Sequence, residues 1–380
     1  VTSLRLPRLA IAAWALAAVT IAGLAVAVWH YLANGTVAHA HGGMPGMGVP
    51  ASEALTRGGS SSPLEPLFGS ALLTAWQLDA IAVAVLVLAA AAYLTGVALV
   101  PIRTPGERWP LRRTAAFFAG LAVCAYATNG SIAVYDQVLF TAHMAGHLAL
   151  VMVAPALLVA GRPLGLAVAS APPGRRERLL RIAQGRVVSL LTAPPVALAS
   201  YAAVIVGSHL TGLMDSIMRN TWAGQVEHLV YVLAGCQFFV LVVGNEPIRW
   251  RLASPARWLL LAIAMAVDTF TGIVLMQGTH AIDLLPSALD VNALSDTRTG
   301  GAIMWFGGDA IMAAIMVGLV VGWLRRVETR PPDHGWLEQA RSAAFAAHTG
   351  GGEDAAAAMD DDDSARAAYN EWLGKLAGRD

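Results

Sequence analysis

Charge is what this chain has least of. Asp, Glu, Lys and Arg make up 13% of its 380 residues, against roughly 25% in a soluble globular chain. With 56% of residues hydrophobic, too little polar surface remains to cover a water-soluble fold, and the composition points to a membrane protein. Lysine is nearly missing: Lys375 is the only one, so the topological charge signal rests on arginine. Cysteine is scarce as well. Cys124 and Cys236 lie in separate apolar runs, which excludes a disulfide framework and a CxxC metal site; both read as small helix-packing residues. A formal net charge of zero argues against nucleic acid as a partner. There is no internal repeat and no Gly-rich phosphate loop, so nothing points to a nucleotide-binding enzyme.

What the chain does have is long apolar runs. A transmembrane helix needs about 20 mostly apolar residues to cross roughly 30 Å of hydrocarbon. Eight runs qualify: 9–33, 76–100, 114–134, 137–160, 189–210, 222–245, 257–279 and 301–324. Helices are the expected form, because open strands leave unpaired backbone groups in lipid. The predicted fold is an all-α integral membrane protein of about eight transmembrane helices, an N-terminal anchor plus a seven-helix bundle.

Arginine sets the orientation. With the N-terminus inside, eighteen arginines between Arg5 and Arg330 fall on the inner side and only Arg57, Arg219 and Arg298 on the outer side. The positive-inside rule then makes both termini cytoplasmic. Residues 1–33 are expected to be an uncleaved anchor, because their apolar core exceeds the 7–15 residues of a signal peptide; Ala38 and Ala40 would suit a cleavage site in the alternative reading. Residues 34–75, rich in Gly, Ser and Pro, form an extracytoplasmic loop. Residues 76–324 hold the core. Residues 325–380 form a cytoplasmic tail, with disorder expected around the acidic run Asp360–Asp363 and a short amphipathic helix over 365–377.

Polar residues inside membrane helices are costly and tend to mark function. His143 and His147 form HMAGH near the outer start of the fourth run, and four-residue spacing puts both imidazoles on one helical face. His209 ends the fifth run, His228 follows Glu227 near the start of the sixth, and His280 ends the seventh. All five fall in the outer half, although the orientation came from arginine alone. They are the candidate metal ligands, with Asp79, Glu227 and Asp309 as supporting carboxylates behind the histidines. Asp268, near mid-membrane, reads as a bundle-facing packing or relay residue. Imidazole suits copper and zinc, and thioether sulfur favours Cu(I). The outer loop carries AHAHGGMPGM, whose His39, His41, Met44 and Met47 form a candidate capture cluster. Histidine with methionine points to copper, held as Cu(I). The plain alternatives are hydrogen-bonded packing histidines, a low-complexity tether in the loop, and methionines that simply fill the core.

Several stretches together resemble the multi-pass CtaG family of caa3-type cytochrome c oxidase assembly factors. They are WQLDAIAVAVLVLAAAAYLTGV from Trp76, FTAHMAGHLALVMVAPALLVAGRPLG from Phe140, SHL at the end of the fifth run, WAGQVEHLVYVLAG from Trp222, and DTRTGGAIMWFGGD from Asp296 to Asp309. The tail segment AYNEWLGKLA resembles the family's ending. The likeness covers about two thirds of the chain and implies a seven-helix core. It also implies that His143, His147, His209 and His228, and His280 with less support, serve copper delivery to a cytochrome c oxidase subunit in a bacterial cell membrane. The family often has a glutamate near the position of Asp309.

The expectation is therefore a non-enzymatic, copper-binding assembly factor working by ligand exchange. The two other readings are a haem-binding membrane electron carrier, with His143 or His147 facing His228 across a haem, and a copper transporter, which needs ligands through the inner half as well. Homodimerisation is left open.

Overall fold

A computed structural model describes residues 69–136, 138–211, 221–243, 246–279 and 291–329, with scattered positions elsewhere. Among these residues the fold is all-helical, with no β-strand. Six helical segments are long and apolar enough to cross a membrane: 80–103, 111–135, 140–170, 223–242, 254–276 and 293–325. Six of the eight predicted runs thus appear as spans. Of the other two, the first lies mostly outside the described residues, although positions described between 10 and 22 are helical.

The fifth predicted run departs from expectation for a chemical reason. It is split into α8 (Arg186–Leu191) and α9 (Pro194–His209). Pro194 and Pro195 have no N–H to continue a helix from α8, and are tolerated only in a first turn. At 1.5 Å per residue, the 16 residues of α9 reach about 24 Å, short of a full hydrocarbon crossing.

The remaining helices follow local rules. α1 (Ala80–Arg103) begins at Asp79, whose carboxylate accepts the backbone N–H groups of Ile81 and Ala82, both at 3.0 Å. α2 (Leu111–Asn129) starts after Pro110 and stops at Gly130, and α3 (Ser131–Tyr135) prolongs the span by one turn. α4 (Phe140–Leu148) passes through a π-helical turn, Ala149–Val153, into α5 (Ala154–Ala160). Pro155 explains this turn. It has no N–H to give the carbonyl of Val151, so the regular ladder cannot close there. That carbonyl instead lies against Gly235 on α10 (Thr221–Val242), where an added Cβ would sit 2.3 Å from it. α6 (Pro163–Ser170) follows Arg162, whose φ of 55° turns the chain, and α7 (Pro173–Ala183) leads to α8.

α11 (Ser254–Met276) packs closely on α12 (Ala293–Ala302) and the second π-helical turn, Ile303–Gly307. Small residues allow this approach: a Cβ on Gly272 would meet the Trp305 backbone at 2.8 Å, and one on Gly301 the Met276 backbone at 2.7 Å. α13 (Gly308–Thr329) completes that span. The core joins α4, α5, α9, α10, α11 and α13 through Met144, Ala154, Tyr201, Phe238, Leu261 and Met312, each essentially inaccessible. The tail beyond residue 320 is a separate unit; within it, positions described between 367 and 375 are helical and Lys375 pairs with Glu371 at 2.9 Å.

Candidate metal centre

One end of the bundle gathers the start of α1, the end of α2, the starts of α4 and α12, the end of α9 and the beginning of α10. Hydrogen bonds tie these ends together. Asp79 N–H donates to Asn129 Oδ1 at 2.8 Å, and the Gln225 amide donates to the Asp79 carboxylate. Asp296 on α12 accepts the Phe140 N–H at 2.6 Å, the Thr141 N–H at 3.3 Å and the Thr141 hydroxyl. Leu139 precedes α4 and has no side chain able to cap it, so Asp296 supplies the cap from another helix. A buried carboxylate at a helix N-terminus also meets the positive end of the helix dipole.

That cap fixes the first turn of the helix bearing both paired histidines. His143 and His147 are buried, with ring centroids 3.9 Å apart. His143 Nδ1 lies 2.5 Å from Asp136 Oδ1, so an Nδ1–H donates to the carboxylate. Asp136 thus stands behind the imidazole as the acceptor of its Nδ1–H.

A second chain of hydrogen bonds sets the His147 tautomer. His209 Nδ1 is 2.7 Å from the carbonyl of Ile205. A carbonyl only accepts, so that nitrogen carries a proton and Nε2 of the neutral ring accepts. His147 Nδ1 stands 2.8 Å from His209 Nε2, and so donates to it. His147 is left with a lone pair on Nε2. This lone pair faces Glu227 Oε1 at 3.4 Å, without hydrogen-bond geometry. Glu227 also accepts the Tyr231 hydroxyl at 3.1 Å.

The outcome is a buried group of unmatched donors to a cation. Neither His143 Nε2 nor His147 Nε2 has a hydrogen-bond partner. One ligand atom from each of His143, His147 and Glu227 lies within 4.8 Å of the others, close enough to converge on one ion with bonds near 2 Å after a small adjustment. Two electron-rich atoms facing each other in a dry site repel unless positive charge lies between them. A carboxylate behind one ligating imidazole and a polar chain behind the other is the support that metal-binding histidines usually have.

The predicted residues are distributed unevenly around this group. His143 and His147 are in it. Glu227, expected to stand behind the histidines, is a direct member. His209 stands behind His147 with both its nitrogens engaged, rather than beside it as a ligand. His228 adjoins Glu227 in sequence; its Nδ1 is buried and lacks a partner, but it is not among the three converging residues. Asp79 bonds to the start of α1 and to Gln225 and lies near enough to His228 to interact with it electrostatically, and Asp309 accepts the Thr269 hydroxyl at 2.9 Å. Asp268 accepts the Tyr201 hydroxyl at 3.1 Å, away from the group. Cys124 and Cys236 pack in the core. His280 and the loop residues His39, His41, Met44 and Met47 lie outside the described residues.

Sequence reading missed two residues. Asp136 falls in the link between two apolar runs, and its only signal is a position two helical turns before His143. Asp296 was visible as part of DTRTGG, but nothing in a linear pattern says that it caps a helix 156 residues away.

Fold and site together define a helical membrane protein with a polar, histidine-centred cluster buried at one end of its bundle. The family of cytochrome c oxidase caa3 assembly factors matches residues 91–326, and the chain belongs to it. It is 30% identical over 280 residues to uncharacterized proteins of Mycobacterium bovis and Mycobacterium tuberculosis, and 29% identical over 278 residues to one of Mycobacterium leprae. These matches cover 69% of this chain and 42% of each relative, so the chain spans under half the length of those relatives. No solved structure matches it.

Proposed function

We propose that this assembly factor binds copper through His143, His147 and Glu227 and hands it to a cytochrome c oxidase subunit as cargo. The observation that carries the reading is the pair of buried Nε2 atoms, both without a partner, converging with a carboxylate. Three protein donors leave a coordination position for an incoming ligand, as in sites that exchange what they bind. Transfer then needs only ligand exchange with the subunit's own side chains and no bond-making catalysis. His39, His41, Met44 and Met47 collect the ion from the extracytoplasmic side, and His228 and His280 are further candidate ligands. The protein sits in a bacterial cell membrane with both termini in the cytoplasm.

Packing favours an ion over a haem. Glu227 Oε1 stands 3.4 Å from His147 Nε2, in the space that the macrocycle of a haem ligated axially through that nitrogen would have to fill. Transport across the bilayer would need ligands continuing through the bundle, and the converging group is confined to one end.

The test is the copper content of the purified protein after loading and dialysis. Wild type retains about one equivalent that a His143→Ala/His147→Ala variant loses, and oxidase made alongside the variant is short of copper. Equal retention by the two proteins removes the pair from the mechanism.

A further inference from the structure

The donor set bears on which form of the ion the site takes. Its atoms are two imidazole nitrogens and a carboxylate oxygen. Neither cysteine belongs to it. Met144, next to His143 in sequence, is turned toward α12, with its Cγ 3.1 Å from where a Cβ on Gly300 would be. Soft, monovalent copper prefers thiolate and thioether sulfur, whereas imidazole with carboxylate suits borderline divalent ions. Charge points the same way. Glu227 in the group and Asp136 behind His143 place two carboxylates around imidazoles that are neutral when they ligate. A divalent ion balances both, while a monovalent ion leaves one negative charge uncompensated in a buried site, which is expensive.

We infer that the His143–His147–Glu227 centre is a site for a divalent cation, oxidised copper or zinc, and discriminates against Cu(I). The inference rests on the metal-binding reading above and deepens it. The centre takes its ion already in the divalent form, so no change of oxidation state occurs at the site.

The experiment uses the full chain in detergent, carrying His39→Ala/His41→Ala/Met44→Ala/Met47→Ala so that the outer loop contributes no ligand. It is titrated against competing chelators with Zn(II), with Cu(II), and with Cu(I) under reductant. The expected result is one equivalent of Zn(II) or Cu(II), with nitrogen couplings from two imidazoles in the Cu(II) paramagnetic resonance spectrum, and Cu(I) bound at least about tenfold more weakly. Glu227→Gln, which keeps the side chain's shape, narrows that preference by about tenfold or more. Asp136→Asn narrows it too, although Asp136 supplies no ligand atom itself. Cu(I) held as tightly as Zn(II) overturns this inference and leaves the copper-handling reading standing. An unchanged preference in both variants overturns the charge assignment behind it. Failure of all three ions to bind overturns both readings.

Discussion

Removing the Asp296 carboxylate tests how the site is held. Asp296 accepts two backbone N–H groups at the buried start of α4, and a hydroxyl besides. A hydrogen bond to a charged group contributes about 1.5–3 kcal/mol, and an orphaned buried donor costs a further 1–3 kcal/mol. These contributions overlap at one site and do not simply add. Asp296→Ala is therefore expected to destabilise the protein by about 3 kcal/mol, a lowering of the thermal midpoint by roughly 6–12 °C at 2–4 °C per kcal/mol. Asp296→Asn keeps one carbonyl acceptor and is expected to lose about half as much. The assay is thermal unfolding in detergent, followed by helical circular dichroism, together with metal retention by each variant. Because His143 sits one turn beyond Phe140, retention should fall in the same order as stability. An alanine variant melting within about 2 °C of wild type would show that α4 does not depend on this cap.

Other consequences are open to measurement. Asp136→Asn should weaken metal binding by about 10–100-fold, the usual effect of losing the carboxylate behind a ligating histidine; unchanged affinity by competition titration would disprove its role. Gly235→Ala drives a Cβ to 2.3 Å from the Val151 carbonyl and 2.5 Å from Pro155 Cγ. Overpacking costs about 1–3 kcal/mol, and the rigid neighbours place this change at the upper end, so a midpoint equal to wild type would contradict the packing described. Glu246, at the other end of the bundle, accepts the N–H groups of Leu164 and Gly165 at 3.1 and 2.7 Å. Burial raises its pKa against the pull of those amides and of Arg162 and Arg113. The unfolded chain then releases this proton first, so stability falls as pH rises from the unfolded to the folded pKa. Glu246→Gln should abolish that slope, and parallel curves of midpoint against pH would refute the assignment.

Much of the fold was legible because hydropathy reports which stretches sit in lipid. The runs that became α1, α2 with α3, α4 with α5, α10, α11, and α12 with α13 all stood out. The fifth run was only partly legible: its apolar composition hid a break that Pro194 and Pro195 impose on the backbone. The approach of His143, His147 and His209 was readable from depth, since all three lie at helix ends on one side of the bundle. Their division of roles was not. Whether an imidazole ligates or supports depends on which nitrogen faces which neighbour, and for His147 and His209 that is decided by a contact across 62 residues and a backbone carbonyl. Glu227 was visible beside His228, but the direction of its carboxylate depends on the rotation of α10, which a nearly uniform apolar helix does not declare.

X-ray absorption at the metal edge of the loaded protein tests the central claim most directly. Two imidazoles and one or more oxygen donors at about 2.0–2.2 Å, with the imidazole scattering lost in His143→Ala/His147→Ala, are what this site requires. A shell dominated by sulfur near 2.3 Å, or imidazole scattering that survives loss of both histidines, would place the metal elsewhere in the chain.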